Sequence, residues 1–400
     1  MFSLYVHVPF CTARGLSTSK CGYCSFYSEP FDLVSGAGAS RGEAWLSALS
    51  AEVERLRASL GGRVPLRTVY IGGGTPSVLP LPMWRRLLDV LESIASAPPT
   101  EATVEANPCS LTGGHLRMWR DSFITRVSLG VQSASDAELR TLGRAHDVSA
   151  ARRAIDMVLA SGLDLSIDLI FGIPGQTLAS WKNSLSLAAA GANHVSTYQL
   201  TLEPDTPMAR AMQTGELLPD GYLFYRFAQW YLPRKGIKQY EISSFAREGH
   251  ECRHNLAYWR QEDVLALGPS AWGYISGTDS SGSADPSGGD FGFRYANAPT
   301  LSEYIALLGE RAFPVVYTER TSGRERALEA AILSLRTSGG IDGAAFAKKF
   351  GMEAAQAVMS VLDGMPERLT VRRGTSIALT STGMRVGNSI WSELLELLPA

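Results

Sequence analysis

The 400-residue chain is poor in several features, and each shortage removes a class of protein. Cysteine is scarce: five residues, an odd number unevenly placed, exclude a secreted disulfide scaffold. Neither sign of charge dominates, because 37 Lys and Arg against 39 Asp and Glu leave a formal net charge of -2. A surface with no cationic surplus is not expected to hold a phosphate backbone, so nucleic acid is excluded as a partner. No run reaches about 18 uninterrupted apolar residues, so no membrane span is expected, and peripheral membrane contact is left open. The opening MFSLYVHVPFC has neither the basic nor the sustained apolar region of a signal peptide. A Walker GK[ST] loop and a GxGxxG fingerprint are both missing. With 45% apolar residues the chain is not disordered, and what remains is a soluble protein of the reducing cytoplasm, with one large core or two smaller ones.

The first half alternates strands and helices. Leu4, Val6 and Val8 alternate with Tyr5 and His7 in an opening strand, and Glu43 to Ser59 carries Trp45, Leu46, Leu49, Val53 and Leu56 at helical spacing. Strands follow at 68–74, 103–108, 126–133, 165–175 and 194–204, with helices near 83–94, 149–160 (Ser149 as N-cap) and 178–190. Six such βα units predict a parallel α/β sheet curled into a complete or partial TIM-like (β/α)6 barrel over residues 1–235. Residues 236–400 form a smaller domain: one more strand within 233–246, a polar loop from 252 to 274, a flexible Gly/Ser/Asp-rich loop at 276–292, then helices at 325–336 and 353–365, a hairpin at 370–380 and a last helix. Helices plus a hairpin predict a mainly helical, winged-helix-like module acting as lid or partner surface.

Cys11, Cys21 and Cys24 fall within the first 24 residues, and the opening strand delivers Cys11 to the barrel mouth, where such barrels keep their chemistry. Thiolates suit zinc or iron-sulfur clusters, but zinc's structural sites close with four ligands and no second CxxC exists here. Three thiolates would leave one iron of a 4Fe-4S cluster open to another ligand. The same spacing also fits a structural pair, a thioredoxin-like redox pair or unrelated buried cysteines. Gly72, Gly73, Gly74, Thr75 and Pro76 follow a strand, where missing Cβ atoms let backbone donors approach a ligand, or simply make a tight turn. Glu105, Gln132 and Asp168 stand at or near strand ends, and with Arg144 they form a polar ring at one barrel end. His7 and His146 read as structural groups, and Cys109 as a small buried residue.

Read together, YVHVPFC, CGYC, YIGGGTPS, EANP, SLGVQS, LGRAHD, DLIFGIPGQT, YQLTLEPDTPM, YEISSFA and CRHNLAYW resemble the radical SAM superfamily, in its HemN/HemW branch of oxygen-independent coproporphyrinogen III oxidases and haem chaperones. The resemblance implies that Cys11, Cys21 and Cys24 hold a 4Fe-4S cluster whose open iron chelates S-adenosylmethionine. It further implies that Gly73, Gly74 and Thr75 meet the methionyl part of that cofactor, and that Glu105, Gln132, Arg144, Asp168, Tyr5 and Tyr23 line the rest of its site. The family's chemistry is one-electron reductive cleavage of the sulfonium, which needs a dry, closed pocket and an electron donor such as flavodoxin or ferredoxin. The chain departs from the family's C-x3-C-x2-C pattern: nine residues separate Cys11 from Cys21, and the extra GLSTSK at 15–20 reads as an extruded loop.

Within the branch, two features point to the haem chaperones. The oxidases resemble CxxxCxxCxC, whereas Phe26 stands at the fourth cysteine's place here, and their N-terminal extension is not expected ahead of a first strand that starts at about residue 3. The chaperones' HNxxYW signature is present as His254, Asn255, Tyr258 and Trp259. The resemblance implies haem binding there, with His254 or Cys252 as axial ligand and delivery to haem-accepting proteins such as respiratory enzymes. Two other readings stay open: turnover of coproporphyrinogen III to protoporphyrinogen IX, and an interaction module with an inactive barrel. The signature residues also fit a structural role, His254 and Asn255 bonding loop backbone and Trp259 packing between domains.

Overall fold

The computed structural model describes residues 1–11, 20–31, 37–212, 219–277 and 291–396. The expected loop at 15–20, save Lys20, and the stretch at 276–292, save two residues at each end, lie outside the described residues; those end residues belong to strands.

Six parallel strands run side by side in chain order: β1 (Phe2–Val8), β2 (Leu66–Gly73), β3 (Glu101–Ala106), β4 (Arg126–Gln132), β5 (Asp164–Phe171) and β6 (His194–Gln199). Between them lie α1 (Ala37–Ser59), α2 (Leu81–Ile94), α3 (Gly113–Arg120), α4 (Val148–Ser161) and α5 (Leu178–Ala189). Helix α4 is capped by Asp147, whose side chain accepts from the Ala150 N–H, so the expected cap Ser149 lies inside the first turn. The helix thus starts two residues earlier than the serine implied, with the Asp147 carboxylate taking the orphan N–H of Ala150.

Parallel strands covered on both faces read as continuous apolar runs. These alternate instead. Leu4, Val6, Val8, Val69, Ile71, Val104, Val127, Leu129, Leu165, Ile167, Leu169 and Val195 are buried outward against the helices, with Trp45, Trp84, Trp119 and Trp181 as the largest side chains of that layer. The other face carries Ser3, Tyr5, His7, Thr68, Tyr70, Thr103, Glu105, Arg126, Ser128, Ser166, Asp168, His194, Ser196 and Tyr198, which are brought level by registers such as Tyr5 to Tyr70 to Thr103 to Arg126. The concave face of the half-barrel is therefore polar. Each outward aliphatic side chain contributes roughly 1.5–3 kcal/mol by leaving water, so helix packing carries the stability and frees the inner face for chemistry.

Beyond the barrel the sheet continues at both edges. After α6 (Gly221–Tyr231), β7 (Lys238–Gln239) and β8 (Ser244–Ala246) form an antiparallel pair beside β6, where a single strand was expected. The region expected to be a polar loop contains α7 (Arg253–Trp259), β9 (Val264–Leu267) and β10 (Trp272–Gly277). β9 pairs in parallel with β1, and β10, β11 (Phe291–Asn297) and β12 (Val315–Ser322) extend it antiparallel, giving twelve strands in one sheet among the described residues. Segments of four and seven residues are too short to show a period, which is why they read as loop. α8 (Leu301–Gly309) covers α1.

The C-terminal part has its own core, formed among others by Ala331, Leu335, Ile341, Val358, Leu362, Ile377 and Leu394. Its order is helix α9 (Gly323–Leu335), strand Ile341–Asp342, helices Gly343–Phe350 and Met352–Gly364, then hairpin Thr370–Arg373 with Ser376–Leu379. That is the order of a winged helix.

Candidate functional site

The mouth is assembled around backbone contacts. After β1, residues Phe10–Cys11 pair in parallel with Glu29–Pro30. The loop leaving β2 lies on this segment: the Gly74 N–H donates to Val8 O at 2.8 Å and the Thr75 N–H to Phe10 O at 2.7 Å. Only glycine fits there. Gly73 has φ +107°, and a Cβ at Gly74 would sit 2.4 Å from the Phe10 carbonyl oxygen. Thr75 is thereby held with its hydroxyl 3.2 Å from Cys11 Sγ.

Cys21 to Cys24 form a tight turn, with the Cys24 N–H on Cys21 O at 3.2 Å. The turn is pinned from both sides, by the Gly22 N–H on Leu142 O at 3.1 Å and the Met208 N–H on Gly22 O at 2.8 Å. Arg144 donates to Cys21 Sγ at 3.2 Å and to Gly130 O at 2.8 Å, and also meets the Tyr23 hydroxyl. None of the five cysteines is joined in a disulfide, and burial raises the thiols of Cys11 and Cys24 above their ordinary range. Among the described residues, no three His, Cys, Asp or Glu side chains close on one point as ligands of a single metal ion.

The inner wall below this mouth carries two buried carboxyls. Glu105 accepts from the Tyr70 hydroxyl at 2.9 Å and the Gly73 N–H at 3.1 Å, and burial together with Asp168 pushes it up to about 7. Asp168 accepts from Ser128 at 3.0 Å and from Ser196, and burial pushes it up to about 6. Gln132 ends β4 at a register irregularity with φ +67°, a left-handed conformation that a non-glycine residue holds only where its surroundings impose it. Tyr5 donates to His7 Nδ1 at 3.1 Å, and His7 Nε2 faces Tyr27 O at 2.9 Å, so His7 carries its proton on Nε2; burial lowers it to about 4 and keeps it neutral. The structure thus brings Cys11, Cys21, Cys24, Tyr5, Tyr23, Gly73, Gly74, Thr75, Glu105, Gln132, Arg144 and Asp168 to one end of the half-barrel. Two desolvated carboxyls with Arg144 as the nearby cation, beneath three free thiols, suit a cationic, hydroxyl-bearing group and a thiolate-held cluster.

The HNxxYW residues lie at the other end of the same chamber. Helix α7 starts on Glu101, whose carboxylate accepts the N–H groups of Arg253 and His254 at 3.0 Å each, and Arg126 stands 3.4 Å from that carboxylate. Cys252 is buried, its thiol pushed up to about 12 and turned to Glu101, and the Asn255 N–H meets its sulfur. His254 is 1% exposed, with Nδ1 on Thr68 Oγ1 at 2.8 Å and Nε2 buried without a partner. Tyr258 is 36% exposed. Trp259 packs on the Arg336 guanidinium, which also lies over Trp391 of the C-terminal module. Sequence reading missed Tyr70, Ser128, Ser196 and Tyr198, although a polar residue at alternate positions of an otherwise apolar parallel strand was the available signal. Cys109 is half-buried, not buried, and its thiol turns to Asn107 Oδ1 at 3.1 Å.

Fold and mouth together define a barrel of the radical SAM class, and the family model of the Radical SAM superfamily matches residues 5–188. The chain is 32% identical to the heme chaperone HemW of Bacillus subtilis (strain 168) over 99% of both chains, and 33% identical to that of Mycobacterium tuberculosis (strain ATCC 25618 / H37Rv) over 98% of this chain and 95% of the relative. The solved coproporphyrinogen III oxidase HemN of Escherichia coli, described as a radical SAM enzyme, superposes with a TM-score of 0.79 at 21% identity, over 99% of this chain and 90% of that one, a likeness of fold. The chain belongs to the HemW family of the radical SAM superfamily. No helix among the described residues is long and apolar enough to cross a membrane.

Proposed function

We propose that this protein binds haem and passes it to acceptor proteins, and that its barrel mouth holds a 4Fe-4S cluster and S-adenosylmethionine. The observation that carries the proposal is likeness to heme chaperones over the whole chain, with Phe26, not cysteine, two positions after Cys24. Cys11, Cys21 and Cys24 would hold the cluster, one thiolate to an iron, which asks for ligands spread around a mouth and not for three groups on a single ion. When bound, the cluster and cofactor supply one-electron cleavage of a sulfonium, fed by a donor such as flavodoxin or ferredoxin. The chain's own part is placement. Arg144 orients Cys21, Thr75 orients Cys11, and Glu105 and Asp168 present negative charge where a cation gains most from a low-dielectric wall. Tyr5, Tyr23, Gly73, Gly74 and Gln132 complete the cofactor's surroundings. Tyr258 is the exposed member of the His254, Asn255, Tyr258 set and the one placed to meet a porphyrin face. Cytoplasmic residence and respiratory acceptors belong to the same proposal.

Titration of the anaerobically reconstituted protein with haem and with coproporphyrinogen III tests it. Stoichiometric haem uptake without porphyrinogen turnover is the expected result. Sustained turnover would instead favour the oxidase reading that the HemN likeness of fold brings with it.

A further inference from the structure

The histidine of the HNxxYW signature does not face solvent. Helix α7 is held by a carboxylate from the base of β3, and it inserts the His254 ring into the barrel beside β2. There the ring stacks on Tyr70, with centroids 5.2 Å apart and planes 26° from parallel. Tyr70 in turn stacks on Tyr5 at 6.3 Å and donates its hydroxyl to Glu105, whose other oxygen accepts the Gly73 N–H. A continuous path of contacts therefore runs from His254 through Tyr70 to Glu105 and the glycine loop. Tyr258 closes the lower side, edge-on to His254 at 5.3 Å.

We infer that His254 is a positioning residue for the S-adenosylmethionine site, acting through Tyr70 on Glu105, and is not a haem ligand. This rests on the proposed occupancy of the barrel mouth. Tyr70 can aim its hydroxyl at Glu105 only if its ring plane is fixed, and the rings of both His254 and Tyr5 stack on it. An imidazole that is 1% exposed, with one nitrogen on Thr68 and the other enclosed, has no open side for a porphyrin iron. Burial lowers His254 to about 3, so it adds no charge near the carboxyl wall and supports Tyr70 through shape alone. The groups that face Glu105 are Tyr70 and the Gly73 N–H from β2, Tyr5 from β1, Asp168 from β5 and Tyr198 from β6.

The experiment measures S-adenosylmethionine affinity by equilibrium dialysis, and haem uptake by the Soret band, on the full-length protein and on His254→Ala, His254→Phe and Tyr70→Phe. Loss of the stack or of the Tyr70 hydroxyl is expected to weaken S-adenosylmethionine binding about five- to tenfold in His254→Ala and Tyr70→Phe and to move the pH midpoint of binding upward. His254→Phe, which keeps a flat ring on Tyr70, is expected to stay within about twofold of the wild type, and haem uptake is expected to survive in all three. Loss of the Soret band in His254→Phe would overturn the inference, as would unchanged affinity and pH midpoint in Tyr70→Phe, which is the decisive variant should His254→Ala not fold. A wild-type chain that takes up no S-adenosylmethionine would overturn the proposed occupancy itself, an outcome readable before any variant is made.

Discussion

Glu105 and Asp168 are both buried inside the barrel, and protonating them by lowering the pH from about 8 to about 6 is the cleanest perturbation of the site. Burial and the charge of Asp168 push Glu105 up to about 7, and burial pushes Asp168 up to about 6. A group titrating near 7 falls from roughly nine-tenths to one-tenth ionised across that interval, and one near 6 falls from nearly full to about half. If a cationic cofactor requires both carboxylates ionised, the occupied fraction of competent protein drops about 20-fold, equivalent to roughly 1.8 kcal/mol of binding. Arg144 moderates Asp168 but not Glu105, so most of the change belongs to Glu105. Equilibrium dialysis with S-adenosylmethionine against pH gives the profile, and Glu105→Gln should flatten it to the shallower dependence of Asp168 alone while weakening binding throughout. A profile that is flat in the wild type, or one left unchanged in Glu105→Gln, would refute the electrostatic reading of this wall.

Other perturbations test other parts. Gly74→Ala forces a Cβ to within 2.4 Å of backbone, and should destabilise the chain by about 1–3 kcal/mol in a denaturant titration while releasing iron from reconstituted protein. Arg144→Met removes the donor to Cys21 Sγ and Gly130 O and should weaken S-adenosylmethionine binding about tenfold or more, with Arg144→Lys recovering little of it; full affinity in either would remove Arg144 from the site. Glu52, buried and pushed up to about 7, accepts from Gly268, Asn297 and Tyr304, so Glu52→Gln should cost about 1–3 kcal/mol at low pH, where an ionised carboxylate is absent in both forms of the chain. In the wild type that raised group makes the folded state bind the extra proton between its unfolded value of 4.5 and about 7. Its contribution to stability therefore grows as pH falls through 7 and is complete below 4.5, and urea midpoints measured across that window check the sign. Tyr258→Ala should lower haem affinity severalfold without changing S-adenosylmethionine binding, as read from the Soret band.

The barrel was legible because its strands are separated by long amphipathic helices, and because Leu4, Val6 and Val8 announce a buried strand by alternation. What the sequence concealed lies where local pattern is short. Val264–Leu267 joins the sheet beside β1 through long-range pairing, a contact that four residues cannot signal. The placement of His254 depends on Glu101, which is distant in sequence and holds the start of α7 from the strand next to β2. The candidate site was readable as separate strand-end residues, because glycine runs and isolated carboxylates between apolar segments stand out. Their links were not, since Tyr70 looks like an ordinary strand aromatic until Glu105 is seen beneath its hydroxyl. The nine-residue separation of Cys11 and Cys21 stayed compatible with the mouth because Pro9–Cys11 is fixed by Glu29–Phe31 and by Thr75, while Cys21 is fixed independently by Leu142, Met208 and Arg144.

The most direct test of the account is iron and sulfide analysis after anaerobic reconstitution, made in parallel on the wild type, on Cys11→Ala, Cys21→Ala and Cys24→Ala, and on Cys109→Ser and Cys252→Ser. The account expects about four irons and four sulfides per wild-type chain, their loss in each of the first three variants, and their retention in the last two. Fewer than about three irons in the wild type, or full iron in any of the three mouth variants, would contradict it.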